Sequence, residues 1–545
     1  MTPPLVQLRA AVEAAAAAVR GGDGEAPVQL RVERPKRENQ GDYSTNVAML
    51  LAPSLGEPPR VIAERVGAEL ASTLAGELAG WEIAGPGFLN LTLSDDWYRG
   101  ATRAVLDAGD RYGADAVQRP ERVLLEFVSA NPTGPLVAAN GQAAAYGDAL
   151  ARILSHWGHR VQREYYFNDA GGQIRLLGQS VQARARGDEI PEGGYQGEYV
   201  ADLAAAIPNV ESLTVEEAAH AAVEIVLGQV KATLERYGVH YDRFFSERTL
   251  HEGAPSYLDR ALEIVAEGGN SYHSEGALWL RTTAFGDDKD RVLRRSDGGP
   301  TYLAADLAYL LEKSERGIER QLLPVGADHH GYVARMKAAF AALGGDPDRL
   351  EMPILQFVHL VEGSERAAMS KRRGEFIRLD ELLDEIGVDA TRYFMLQRSH
   401  DRTVDLDLDL AKRQDRENPV YYIQYAHARI VTMLGKLSSE RVQAALASGT
   451  DWGDTELHPA ERALIKALAA FPDEVAEAAI KRGPHRIAAY ALELAQEFTA
   501  FYRDCKVVGS QPEPVESFRI ALSQSARQTI ALALSLLGVS APDSM

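Results

Sequence analysis

"RVLLEFVSANPTGPLVAANGQAAAYGDALARILSHWGHRVQREYYFND", residues 122–169, carries most of the fold information in this chain. Residues 122–130 are almost continuously apolar, the pattern of a strand buried on both faces. Residues 141–158 place apolar side chains at helical spacing, with very small residues in the first turn. Residues 159–169 return to a strand pattern. Strand, helix and strand in such a short run predict a parallel, Rossmann-like sheet. The small first turn lets a ligand approach backbone N–H groups at a helix N-terminus, where anions are favoured. Tight helix–strand packing would also select Gly and Ala there.

Working outward, residues 1–112 read as a small N-terminal α/β domain. "VQLRVERP" alternates as a strand, and "PPRVIAERVGAELAS" opens on prolines and continues at helical spacing. "AGPGFLNLTLS" is a second strand pattern, with Asp95 and Asp96 opening the next helix. Residues 113–410 form the nucleotide-binding α/β domain, with sheet patterns returning in "RQLLPVGAD" and "PILQFVHLV". Within it, about residues 178–267 are polar and helical in pattern without strand runs, and are expected to be an insertion. Residues 411–545 are helical throughout, a separate all-α bundle.

The chain has 545 residues, 46% hydrophobic and 25% charged, which is a globular composition long enough for several cores. A formal net charge of −20 excludes a generally basic, nucleic-acid-coating protein but leaves room for local basic patches. The single cysteine, Cys505, excludes an internal disulfide and fits a reducing cytoplasm. The N-terminal "MTPPLVQLRAAVEAAAAAVRGG" is interrupted by Arg9, Glu13 and Arg20, too broken for a signal core or a membrane span. A cytoplasmic location with no membrane contact is therefore expected.

No G-x-x-x-x-G-K-[ST], Cys-pair zinc pattern or G-x-S-x-G elbow occurs. Asp328, His329 and His330 in "GADHHGY" diverge in a short turn, so a polar binding loop is favoured over a metal site, and no structural metal is expected. Asp405, Asp407 and Asp409 alternate like the exposed face of an extended segment rather than a Mg²⁺ cage. In "AAMSKRRGEF", Lys371, Arg372 and Arg373 precede Gly374. Such a loop either closes over a polyphosphate and neutralises a leaving pyrophosphate, or is a solvated basic turn.

These segments occur in order with "ENQGDYSTNVAM", "REYYFNDAGGQI", "TYLAADLAYLLEK", "DELLDEIGVDATRYFML", "ENPVYYIQYAHARI" and the closing "LLGVSAPDSM". From end to end the chain resembles the bacterial class I arginyl-tRNA synthetases. The resemblance implies a monomer with a Rossmann core carrying an insertion, an N-terminal domain touching the tRNA elbow and a helical anticodon-binding domain. It implies that arginine and ATP, with Mg²⁺ carried on the nucleotide, give arginyl-adenylate and pyrophosphate. The arginyl group then passes to the terminal ribose of tRNA(Arg).

By the same resemblance, the arginine contacts fall on Glu126, Asn131, Tyr302, Asp306 and His329. Carboxylates suit a guanidinium, which wants planar acceptors. For Glu126 and Asp306 the alternative is an internal salt bridge, and a carboxylate in an apolar strand needs a partner either way. The ATP contacts fall on Val137, Ala139, Asn140, Gly141, Met369 and Lys371, and the catalytic positions on Asn140, Ser370, Lys371 and Arg372. Val137, Ala138, Ala139 and Asn140 stand where the family writes His-x-Gly-His. Val137 has no donor, Ala139 adds a methyl group facing the base, and Asn140 keeps one donor. Gln142 stands in place of the usual arginine and Ala368 in place of the first lysine of the KMSK loop.

For tRNA, Tyr421, Tyr425 and Arg429 suit stacking on splayed bases. Together with Tyr422 and His427 they follow helical spacing, which predicts that at least half of the five are buried. An arginine–tRNA ligase is the leading expectation. A non-catalytic relative that binds tRNA or arginine is the alternative raised by residues 137–140. A nucleotidyltransferase sharing the core has no need of the C-terminal bundle.

Overall fold

Val123, Leu124 and Leu125 are fully buried, so the strand Arg122–Glu126 takes the centre of a five-stranded sheet. The computed structural model describes residues 2–21, 30–35, 37, 40–363, 365–366 and 377–545. Ala368, Met369, Ser370, Lys371 and Arg372 therefore lie outside the described residues. The strand order is Leu350–Glu351, Arg320–Leu322, Arg122–Glu126, Arg160–Phe167, Arg243–Ser246, and every neighbouring pair is parallel. This is the Rossmann-like sheet expected from residues 122–169.

The crossover helix runs Ala138–Trp157 and so begins three residues before the expected position 141. It lies hard against the central strand's exit: a Cβ on Gly147 would stand 2.2 Å from the Phe127 ring. Close packing is thus a sufficient reason for glycine at that position.

One expectation is corrected. The stretch 178–267, read as free of strands, contains the edge strand Arg243–Ser246, paired to Arg160–Phe167. Its four residues, "RFFS", are too few to show alternation, and Arg243 is an ion-pair partner of Glu312 at 2.8 Å rather than a turn residue. The preceding helices Gly172–Arg186, Glu198–Ala206 and Val215–Arg236 form the insertion's body. An antiparallel three-stranded sheet, Ser271–Ser274, Ala277–Leu280 and Arg291–Arg294, follows it and was likewise not legible.

The N-terminal strands Val32–Glu33, Tyr43–Thr45, Phe88–Leu93 and Leu78–Ala84 form an antiparallel sheet in that order. Beyond the core, Val358–Glu362 pairs in parallel with Val404–Asp407, where Val404 and Leu406 are buried and Asp405 points outward. Asp407 caps the next helix through the Leu410 N–H at 2.9 Å, and Asp409 accepts from the Gly363 N–H at 2.9 Å. A local helix cap thus explains Asp407, and a long-range hydrogen bond to the turn at Gly363 explains Asp409.

The helices Pro419–Leu434, Pro459–Ile480, His485–Asp504 and Glu513–Leu537 make the C-terminal bundle. The bundle meets the core at Arg392, whose guanidinium donates to Leu537 O (2.9 Å), Tyr237 O (3.0 Å) and Asp148 Oδ2 (2.6 Å). Among the described residues no helix is long and apolar enough to cross a membrane.

Candidate active site

In an open parallel sheet, ligands bind beyond the carboxyl ends of the strands where the strand order reverses. Here Arg122–Glu126 is flanked by Arg160–Phe167 on one side and by Arg320–Leu322 on the other. A cavity of about 790 Å³ opens at that point, within the usual range for small-molecule sites. Glu126, Asn131, Tyr302, Asp306 and His329 all line it, as do Ala139 and Asn140 from the first turn of the crossover helix. Val137 and Gly141 do not. Val137 is the helix N-cap, and Gly141 lies under Leu379, whose Cδ1 would be 2.8 Å from an added Cβ.

Glu126 ends its strand with both oxygens occupied. Oε2 accepts from Lys313 Nζ at 2.5 Å, and Oε1 accepts from Ser129 Oγ at 3.1 Å. The lysine side chain is only 1% exposed, and its ammonium sits 3.7 Å from the Tyr309 ring centroid. The internal salt bridge considered for Glu126 is therefore present, and it neutralises that carboxylate.

Asp306 differs. Among the described residues no cation pairs with it; its carboxylate accepts from the Tyr332 hydroxyl. Burial pushes its carboxyl up to about 7, with the Tyr332 hydrogen bond opposing and the nearby charges of Glu126 and Glu247 adding to the rise. It is an enclosed carboxyl at the edge of a cavity, and Lys313, whose charge opposes the rise, is bonded to Glu126 instead.

Tyr302, 78% exposed, and the exposed His329, whose Nε2 is 3.6 Å from Asp328, stand at the rim. The Asn131 amide donates to Gln173 Oε1 at 2.8 Å. Asn140 serves its own helix, because its Oδ1 accepts from the Val137 N–H at 2.9 Å. The same turn is tied to the chain that follows residues 367–376: Ala138 N–H donates to Ile377 O (3.0 Å) and Leu379 N–H to Leu136 O (2.8 Å).

Sequence reasoning missed Tyr166, Glu247, Tyr332 and Arg335, which also line the cavity. Tyr166 donates to Glu247 Oε2 at 2.6 Å. Arg335 lies over the Tyr332 ring at 5.6 Å, and its buried Nε has no hydrogen-bond partner among the described residues. Two signals were available. In a strand, Tyr165 and Tyr166 face opposite sides, so one of them must leave the core on the ligand side. In the helix Tyr302–Glu315, positions 302, 306, 309 and 313 share one face. Glu247 offered no local signal.

The second surface of interest is on the helix Pro419–Leu434. Of Tyr421, Tyr422, Tyr425, His427 and Arg429, only His427 is buried, so the expectation that half would be buried is corrected. The face packed into the bundle is formed instead by Ile423, Gln424, Ala426 and Ile430. Tyr421 and Tyr425 stack with centroids 6.2 Å apart, and Arg429 lies 4.6 Å over Tyr425 and 5.2 Å over Tyr502. A hollow of about 330 Å³ opens beside these rings.

Comparison with known proteins agrees along the whole chain. The family described as "Arginyl tRNA synthetase N terminal domain" matches residues 6–93. "tRNA synthetases class I (R), catalytic domain" matches 215–415, and "DALR anticodon binding domain" matches 423–545. The arginine–tRNA ligase of Frankia alni is 46% identical over 552 residues, covering 98% of this chain and 99% of that one. The arginine–tRNA ligase of Kineococcus radiotolerans is 42% identical over 565 residues, with both chains covered completely. The structure of the Thermus thermophilus arginyl-tRNA synthetase superposes with a TM-score of 0.76 at 25% identity, over 99% of this chain and 100% of that one.

Proposed function

Because the chain belongs to the class I arginyl-tRNA synthetases and is an arginine–tRNA ligase, we propose that arginine and ATP meet in the cavity at the strand ends. The observation that carries this reading is Asp306. A carboxyl whose titration enclosure raises to about 7, with no cation paired to it among the described residues, is where a guanidinium gains most. Glu126 is already balanced by Lys313, so with Asn131 it suits the α-amino end. Tyr302 and His329 close the rim.

The nucleotide's phosphates lie toward the start of the helix Ala138–Trp157, where Ala139 and Asn140 line the cavity. With no imidazole at 137 or 140, the anion is held by the Asn140 side-chain NH2 and by Arg335, whose Nε has no partner among the described residues, because the N–H groups of Val137 and Ala138 are already engaged. Lys371 and Arg372 supply the remaining cationic contacts, with Met369 and Ser370 beside them in sequence, and the chain that follows is hydrogen-bonded to the helix start at Ile377 and Leu379. Mg²⁺ arrives with the nucleotide as part of the substrate. The arginine carboxylate attacks the α-phosphorus, the bond to the bridging oxygen breaks and pyrophosphate leaves. The ribose hydroxyl of tRNA(Arg) then attacks the arginyl carbonyl and AMP departs.

Residues 1–112, 113–410 and 411–545 act as elbow-binding, catalytic and anticodon-binding units of a cytoplasmic monomer. Exposed Phe88, at the head of its strand, supports the first contact, and the Tyr421–Tyr425–Arg429 stack supports the last. Losing one ring that stacks on a base typically costs about 1–3 kcal/mol. Tyr425→Ala is therefore expected to raise the KM for tRNA by about tenfold and leave the KM for arginine unchanged, as read in aminoacylation assays.

The reading as a whole is tested by incubating the purified chain with arginine, Mg-ATP and tRNA(Arg). Arginyl-tRNA should accumulate. No product above a blank over a wide range of ATP concentrations overturns the reading.

A further inference from the structure

Three tyrosine hydroxyls hold the loop that leaves the central strand. Tyr241 donates to Phe127 O at 3.0 Å, Tyr165 to Ala130 O at 2.9 Å, and Tyr199 to Thr133 O at 2.9 Å. The loop needs such support. Val128 (φ +67°) and Ser129 (φ +43°) both occupy the left-handed region, which a β-branched residue in particular avoids. Glu126 stands just before these two residues and Asn131 just after them, and both line the cavity.

Tyr165 is buried within the sheet and Tyr241 lies just ahead of its edge strand, so both belong to the core that carries the loop. Tyr199 does not. It sits on the helix Glu198–Ala206 of the insertion, and its ring lies so close to the loop that a Cβ on Gly134 would be 3.2 Å from its Cζ and 3.3 Å from its Oη. Burial pushes the hydroxyl up to about 12, so it remains a donor at neutral and moderately alkaline pH. A second tie runs the same way: Gln173, in the first turn of the helix Gly172–Arg186, accepts from the Asn131 amide at 2.8 Å.

We infer that Tyr199 is a positioning residue for the amino-acid site: by holding the Thr133 carbonyl it keeps the strained loop 128–134 in place, so that Asn131 and Glu126 face arginine. The insertion thereby sets the enzyme's affinity for its amino acid without touching it. This rests on the cavity being the arginine site, as proposed above.

The test is steady-state aminoacylation by the full-length enzyme carrying Tyr199→Phe, which deletes the hydroxyl and keeps the ring. The KM for arginine should rise about fivefold, the worth of one neutral hydrogen bond. kcat should stay within about twofold, and the KM for ATP and the melting temperature should not change. Gly134→Ala, which keeps the hydroxyl but crowds the ring by a few tenths of an ångström, should move the same parameter in the same direction by a smaller amount.

A wild-type KM for arginine in Tyr199→Phe overturns the inference. So does an equal rise in the KM values for arginine and ATP together with a lower melting temperature, which would make Tyr199 a structural contact only. Asp306→Asn separates the two levels. If it also leaves the KM for arginine unchanged, the cavity is not the arginine site. If it raises that KM while Tyr199→Phe does not, only the positioning role fails.

Discussion

Asp306→Ala is expected to lower kcat/KM for arginine by about 10²–10⁴-fold while sparing the KM for ATP. Removing one partner of an enclosed, hydrogen-bonded charge pair costs about 3–5 kcal/mol, because the other charge is left without compensation. Here the orphan would be the substrate's guanidinium, facing Tyr332 and a Glu126 already engaged by Lys313. Aminoacylation kinetics at saturating ATP provide the check, and an unchanged KM for arginine would mean that the guanidinium lies elsewhere.

The same residue links affinity to stability with a definite sign. Its folded carboxyl, at about 7, lies above its ordinary value of 3.8. Below the lower value it is protonated in both the folded and unfolded states and has no effect. As pH rises through the window between the two values, ionisation increasingly opposes folding, and above about 7 the cost is complete. Asp306→Asn should therefore melt higher than the wild-type protein at pH 8 while binding arginine more weakly, with the stability gain shrinking toward pH 4. Active-site carboxylates commonly trade stability for function in this way.

Arg392→Met carries the largest expected effect on folding, a loss of about 2–6 kcal/mol, set mainly by two buried carbonyls left without their donor. The Arg392 side chain is 0% exposed, and its Asp148 partner is 1% exposed. Its other two hydrogen bonds go to Tyr237 O, at the end of the insertion, and to Leu537 O, at the end of the last helix. Methionine fills part of the space and leaves both carbonyls and one carboxylate oxygen short of a donor. Asp148 would keep Arg152 at 2.7 Å, so the pair is weakened rather than abandoned. Lysine offers no rescue, since a single ammonium cannot span three acceptors set in a guanidinium's plane. Urea unfolding gives the measure, and a midpoint within about 0.5 kcal/mol of wild type would show that the junction is not where the bundle is fastened.

How legible all this was in the sequence follows from range. The central strand and its crossover helix announced themselves because a fully buried strand and an amphipathic helix are local patterns, here adjacent in residues 122–157. The edge strand Arg243–Ser246 did not, because four residues flanked by charge carry no period. In the cavity, the five arginine positions and Ala139 and Asn140 were legible by motif, and these line one cavity. The state of each could not be read. That Lys313 neutralises Glu126 while Asp306, among the described residues, has only the Tyr332 hydroxyl depends on which helix face meets which strand end, a tertiary fact. The local roles of Val137 as helix N-cap and of Gly141 under Leu379 are tertiary facts of the same kind.

Calorimetric titration with arginine at pH 6 and pH 8, in buffers of different ionisation enthalpy, addresses the central claim most directly. A guanidinium docking on Asp306 must draw its carboxyl, at about 7 in the free protein, into the ionised form. Close to one proton should therefore be released per arginine bound at pH 6 and almost none at pH 8, with affinity about tenfold weaker at the lower pH. Equal affinity at both pH values with no proton release would contradict the account.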